Sequence, residues 1–194
     1  MVQALSDEDY EKIKVDAGGD TVRVETVLGT AVFRSPTPEV FWQAVAMVAA
    51  HQGPESVLYL AQQCVVHPDR ATFDQWADKR PGIPKSVEDA IDSLGGLDKE
   101  PTATDDGDKL TVQTARGPAS FRCPNGKQFR DHQRMASKKG QQEAAFTMLA
   151  LACVEEPTRD VMARWIREKP GISVTVCAAL HKFAGLEDDA QAKR

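Results

Sequence analysis

The sequence predicts an α+β, mostly helical protein made of two tandem copies of one small domain, each a β-hairpin followed by about four helices. Three observations predict it. The stretch CVVHPDRATFDQWADKRPGI at 64–83 is restated at 153–172 as CVEEPTRDVMARWIREKPGI, with Cys, Val, Pro, Arg, Trp, Pro, Gly and Ile in register at a constant offset of 89. Upstream, VETVLGTAVFRSP at 24–36 lies over VQTARGPASFRCP at 112–124 with an offset of 88. Within each copy the hydrophobic period also changes, from alternation in the first part to helical spacing afterwards.

The elements follow in order. VRVETVL-GT-AVFR alternates around a glycine-containing turn, as two short antiparallel strands do. Pro36 or Pro38 suits a first helical turn, and PEVFWQAVAMVAA continues without a breaker. In ESVLYLAQQCVV, residues Val57, Leu60, Ala61 and Cys64 share one helical face. Asp69, and Thr158 in the second copy, can cap a third helix carrying Phe73, Trp76 and Ala77. RPG and KPG stop that helix, because proline disfavours helix at the residue before it. A fourth helix presents Val87, Ala90, Ile91 and Leu94, matched by Val176, Ala179, Leu180 and Phe183. Each copy therefore reads ββαααα.

The register gives about 23 identities over roughly 75 aligned positions. The expected organisation is an acidic N-terminal segment (1–21), a first copy (22–97), a polar linker (98–109), a second copy (110–186) and a tail (187–194). Trp76 and Trp165 are expected to anchor the two helical cores, since such a ring buries on the order of 200 Å². Gly82 and Gly171 are expected to make turns that a side chain would obstruct.

Composition bounds the function. At 41% hydrophobic and 27% charged residues the chain has the makings of a core. No apolar run approaches the roughly 18 residues that a membrane helix needs. The acidic start lacks the order of a secretory signal, and four cysteines at no zinc-like spacing read as free thiols. The expectation is a soluble, cytoplasmic protein with no membrane partner. Net charge is −5 overall but unevenly spread. Residues 22–96 carry nine acids and six bases, and residues 110–185 carry six acids and twelve bases.

No catalytic constellation is legible, and the reading is that the protein is not an enzyme and has no cofactor and no metal site. Cys64 and His67 lie three apart, but no second pair completes a tetrahedron. Neither Cys123 nor Cys177 has a nearby His that makes a convincing nucleophile pair. Arg34 and Arg122, at equivalent strand ends, can hold an anion or, more simply, pair with a helix carboxylate. The differences between the copies point further. In the first helix Trp42, Ala46 and Ala50 stand where the second copy has Arg130, Arg134 and Lys138, and Glu39 stands where it has Lys127. Spaced by three and four, these residues form one helical stripe, apolar in one copy and cationic in the other. The expected partner-binding residues are therefore Trp42, Ala46, Ala50, Lys127, Arg130, Arg134 and Lys138. Burial of the apolar stripe within the monomer is the competing reading, because an all-round apolar helix has to cover its second face.

A hairpin ending FRSP or FRCP, a helix, then CVVHPD, PGI and LGG resembles the small tail assembly chaperones of long-tailed bacteriophages and prophages. The matching positions are Cys64, Val65, Val66, Pro68, Asp69, Pro81, Gly82, Leu94 and Gly96, and in the second copy Cys153, Val154, Pro157, Pro170, Gly171 and Gly185. The tandem arrangement departs from the usual single copy. The resemblance implies a non-enzymatic role: coating the tape measure protein and helping tail-tube subunits assemble around it. It leaves self-association open. The alternatives are a nucleic-acid-binding protein using the basic first helix of the second copy, and a small enzyme with an unrecognised site. Overall acidity, and the lack of a matching stripe in the first copy, argue against nucleic acid.

Overall fold

A computed structural model describes residues 5–185; the expected tail at 187–194 and the last residue of the expected second copy, Leu186, lie outside the described residues. The chain divides into two compact units, Met1–Gly95 and Gly96–Arg194. Both are α+β. Among the described residues there are nine helices and two small antiparallel sheets, each a hairpin-then-helices arrangement.

The first unit opens with helix α1 (Asp7–Ala17). Its Ser6 cap accepts from Asp9 N at 3.1 Å, three acids fill its first turn, and Gly18 closes it in the left-handed region. Strands β1 (Thr21–Glu25) and β2 (Thr30–Arg34) form the hairpin. Helices α2 (Pro38–Ala49) and α3 (Gly53–Cys64) follow, then a short strand β3 (Val65–His67), which pairs with β2 to give the order β1-β2-β3. Helices α4 (Arg70–Lys79) and α5 (Ile83–Leu94) complete the unit. The core gathers Phe33, Leu60, Ala61, Cys64, Phe73, Val87 and Ile91, with Phe33 and Phe73 edge to face at 5.7 Å. Helix α1 lies against the other face of the sheet, where Tyr10 Oη meets Thr21 at 3.3 Å and Asp7 accepts from Arg23 at 2.7 Å. Both faces of the central strand are thus covered, and Ala31, Val32 and Phe33 are fully buried.

The second unit repeats the plan. It comprises β4 (Ala103–Asp105), β5 (Lys109–Thr114), β6 (Gly117–Arg122), α6 (Gly126–Ala136), α7 (Gln142–Cys153), β7 (Val154–Glu156), α8 (Arg159–Glu168) and α9 (Gly171–Phe183). The sheet order is β4-β5-β6-β7. Val112, Phe121, Leu149, Met162, Ile172, Val176 and Leu180 are fully buried, and each such side chain contributes about 1.5–3 kcal/mol relative to exposure. Trp76 and Trp165 are half-buried and pack against the edges of their respective cores.

The structure differs from the sequence reading in several places, each with a local cause. The second helix of each copy stops at its cysteine, and the next three residues make a third strand. Branched Val65 and Val66 favour a strand, and Pro68 and Pro157 bias the residues before them to extended backbone. Each copy is therefore ββααβαα. The acidic segment expected at 1–21 contains α1. The linker expected at 98–109 contains β4, joined to β5 by Asp106, Gly107 and Asp108, so it belongs to the second sheet. Asp69 caps α4 as expected, accepting from Thr72 N at 3.0 Å, but Thr158 makes no side-chain cap bond to α8. Of the two glycines expected to relieve crowding, only Gly171 does so.

Candidate functional site: a cationic helix face

Helix α6 carries the cationic stripe, and the local sequence fixes it at both ends. At its start Asn125 and Gln128 form a capping box. Asn125 Oδ1 accepts from Lys127 N at 3.1 Å and Gln128 N at 2.9 Å, and Gln128 Oε1 accepts from Asn125 N at 3.0 Å. Arg122, at the end of β6, clamps this start to the end of α7, donating to Gln128 Oε1 at 3.3 Å and to Ala152 O at 2.6 Å. Among the described residues the strand-end arginine of the second copy thus serves carbonyl and amide oxygens and no carboxylate; Arg34 is exposed. At the far end Gln142, 9% exposed, donates to Ala136 O and accepts from Gly140 N.

The inward face of α6 is aromatic. His132 is buried, and its Nδ1 lies 3.1 Å from Ala145 O; a carbonyl only accepts, so Nδ1 carries the proton. His132 stands edge to face with Phe146 at 5.2 Å and with His181 of α9 at 5.1 Å, and Phe129 meets His181 at 5.1 Å. His181 Nε2 is buried without a hydrogen-bond partner among the described groups. Burial, and then the neighbouring His132, hold the His181 imidazole below its ordinary value of 6.5. The unfolded chain therefore takes up a proton at His181 at higher pH than the folded chain does. Stability is unaffected well above 6.5 and falls as pH drops from there through the folded value. The melting temperature of the parent should accordingly fall between about pH 7.5 and about pH 5, and less so in His181→Phe. Equal falls in both would remove His181 as the cause.

On the outward face Lys127, Arg130 and Arg134 are all exposed, and Lys138 and Lys139 extend the patch past the helix end at Ala136. Arg134 donates to Asp131 at 2.8 Å, a surface pair worth little in water. The opposite stripe does not match its expectation. Trp42 is only 9% exposed, edge to face with Phe41 at 5.3 Å, so it is not an accessible binding residue. Ala46 is half-buried and Ala50 exposed. The cause is the one weighed from sequence: α2 is apolar nearly all round, so its large ring is covered.

The remaining candidates separate. Cys64 ends α3 while His67 lies in β3, so they do not share a helix face. All four cysteines are free, with Cys123 exposed. Burial pushes the Cys64 thiol up to about 12 and the Cys153 thiol up to about 11, which keeps both protonated and poor nucleophiles at neutral pH. Among the described residues no three His, Cys, Asp or Glu side chains come together to hold a metal ion, and no helix is long and apolar enough to cross a membrane. The His132–His181 cluster has no sequence signal, because the two residues are distant in the chain and His132 stands where the first copy has Ala44. No protein-family model, curated protein or solved structure matches this chain.

Proposed function

We propose that this protein is a non-enzymatic assembly chaperone that holds an acidic, helical stretch of a protein client against the cationic face of α6. The client class suggested by the sequence resemblance is the tape measure protein of a long-tailed phage or prophage, with tail-tube subunits as further partners. Such a role would belong in the host cytoplasm. The observation that carries the reading is the α6 face itself. Lys127, Arg130 and Arg134 project from a helix pinned by a capping box, a clamp from Arg122 and a buried aromatic seam. A pinned helix presents its charges without a large ordering cost on binding. The first unit offers no equivalent cations on α2, so the function is asymmetric between the copies. Of the residues that carry the resemblance, Cys64 and Cys153 are buried, Asp69 caps α4, and Gly171 lies under a crossing chain.

The test is co-purification and titration with a tape measure fragment encoded beside the gene. Reversing Arg130 and Arg134 together to Glu should weaken binding by about tenfold or more at low salt, with the gap narrowing as charges are screened. Equal binding by parent and variant at low salt would sink the α6 assignment. The same cations also fit phosphates, which is the second reading. Binding of a DNA duplex that weakens steeply with salt and is lost on the double reversal would replace the client-protein reading.

A further inference from the structure

The first sheet has an open edge that the second sheet has closed. Thr26 N donates to Gly29 O at 2.9 Å and Ser35 N to Asp20 O at 3.0 Å, which sets the phase of the hairpin. Residues 20, 22, 24 and 26 bond across to β2, so the N–H and C=O of Thr21, Arg23 and Glu25 point away from it. Tyr10 Oη occupies Thr21 O at 3.3 Å. Among the described residues no strand pairs with the outward groups of Arg23 and Glu25.

The equivalent edge in the second unit, through Thr111 and Gln113, is covered by β4. Thr104 stands opposite Thr111, and Gln113 N donates to Thr102 O at 2.9 Å. The loops that precede the two edges are related, since Gly19 and Asp20 stand where the second copy has Gly107 and Asp108. The residues that would supply a fourth strand in the first unit, 15–17, instead form the last turn of α1. One hairpin plan thus has its fourth strand in one unit and lacks it in the other.

We propose that the β1 edge is a self-association surface, on which the β1 strands of two copies of this chain pair antiparallel about Val24 to join two three-stranded sheets into one. Charge selects both the occupant and the register. The outward groups lie on odd-numbered residues, so odd residues must face odd residues. Pairing about Arg23 sets two arginines opposite each other, and pairing about Glu25 sets two glutamates opposite each other; both repel. Pairing about Val24 sets Arg23 opposite Glu25 of the second copy, twice, with Val24 facing Val24. An edge bearing charges of one sign would repel its copy. This edge carries exposed opposite charges two residues apart, which are self-complementary. Arg23 already donates to Asp7, which is 92% exposed, and Glu25 accepts from Thr30 Oγ1, so the cross-strand ion pairs fix register more than they add affinity. The main-chain bonds supply the affinity. An edge this short buries far less than the roughly 1,200 Å² of a standard interface, so the dimer is weak and concentration-dependent.

The experiment is sedimentation velocity of the full chain from about 1 to about 300 μM, a range matched to micromolar association. The parent should shift from monomer to dimer across that range. Arg23→Pro removes the outward N–H together with the guanidinium that meets Asp7, leaves the main-chain bonds to β2 in place, and should weaken dimerisation by about tenfold or more. Arg23→Glu and Glu25→Arg should each weaken it, and the two together should restore it, because the exchanged pair is again complementary. The restoration keeps the proposal testable if Arg23→Pro fails to fold, as circular dichroism would reveal. A dimer indifferent to all of these changes, or a double variant no better than either single one, overturns the proposal. So does a chain that stays monomeric throughout, and unprotected Arg23 and Glu25 amides in hydrogen exchange would then leave a strand of another protein as the edge's occupant.

Discussion

Gly171→Ala should destabilise the second unit by about 3 kcal/mol or more, whereas the equivalent Gly82→Ala should leave the first unit within about 1 kcal/mol of the parent. The two glycines occupy the same place in a repeated Pro-Gly-Ile motif and both precede a core helix, so the sequence gives them one role. Their surroundings differ. A Cβ on Gly171 would lie 2.3 Å from Leu97 N and 2.7 Å from Gly96 C, both backbone atoms. That stretch is held in place: Thr175 Oγ1 accepts from Asp98 N at 2.8 Å and donates toward Gly96 O at 3.3 Å. The clash therefore cannot be relieved by turning a side chain. A Cβ on Gly82 meets nothing within 4 Å, and its backbone is right-handed helical at φ −80°, which alanine adopts freely. Denaturant titration of the two variants measures the contrast. Equal losses would mean that Gly171 is a turn residue and that the crossing chain yields.

The same pair shows what the sequence could and could not reveal. The motif is local and repeated, so the helix break and the following core helix were both legible from Pro81 and Pro170. The crossing chain was not, because residues 96–98 lie far from Gly171 in sequence and their path depends on packing. Element existence was legible wherever a period or a cap announced it, as for α4 with Asp69 and for the hairpins. Two elements outside the repeat had signals that composition obscured. Ser6 with its acidic first turn, closed by Gly18, marks α1 within what reads as a polar leader. Asp106 and Gly107 between short polar runs mark the β4–β5 turn within what reads as a linker.

Of the candidate site, the cationic half was legible and the apolar half was not. Lys127, Arg130 and Arg134 differ from their first-copy counterparts in charge, and long cations at helical spacing stay at the surface. Trp42 lies off the Phe41–Ala44 face by helical spacing, so periodicity alone puts it outside, while its size favours burial. Periodicity and hydrophobicity conflict at that residue, and hydrophobicity prevails. A consequence is that Trp42→Asp would report on folding before it reported on any client.

The second large effect falls on the tryptophans, and it separates two glycines that the repeat aligns. Trp76→Ala and Trp165→Ala should each destabilise by about 3 kcal/mol, the lower end for large aromatic truncations, because both residues are only partly buried at the core edge. In the first unit the ring lies against the hairpin turn: a Cβ on Gly29 would come 2.7 Å from Trp76 Cη2 and 3.1 Å from Cζ2. In the second unit a Cβ on Gly117 would meet nothing within 4 Å, but Gly117 has φ +119°, which an L-residue with a side chain resists. Gly29→Ala should therefore cost about 1–3 kcal/mol in the parent through overpacking. In a Trp76→Ala background it should cost less by about 1 kcal/mol or more, the remainder lying in the backbone, since Gly29 has φ +158°. Gly117→Ala should cost about 1–2 kcal/mol whether or not Trp165 is present, since its cost lies in the backbone. Two double-mutant cycles read from denaturation midpoints decide the matter. Coupling of the same size in both units, or none in the first, would show that the Trp76 ring does not set the packing of its hairpin turn.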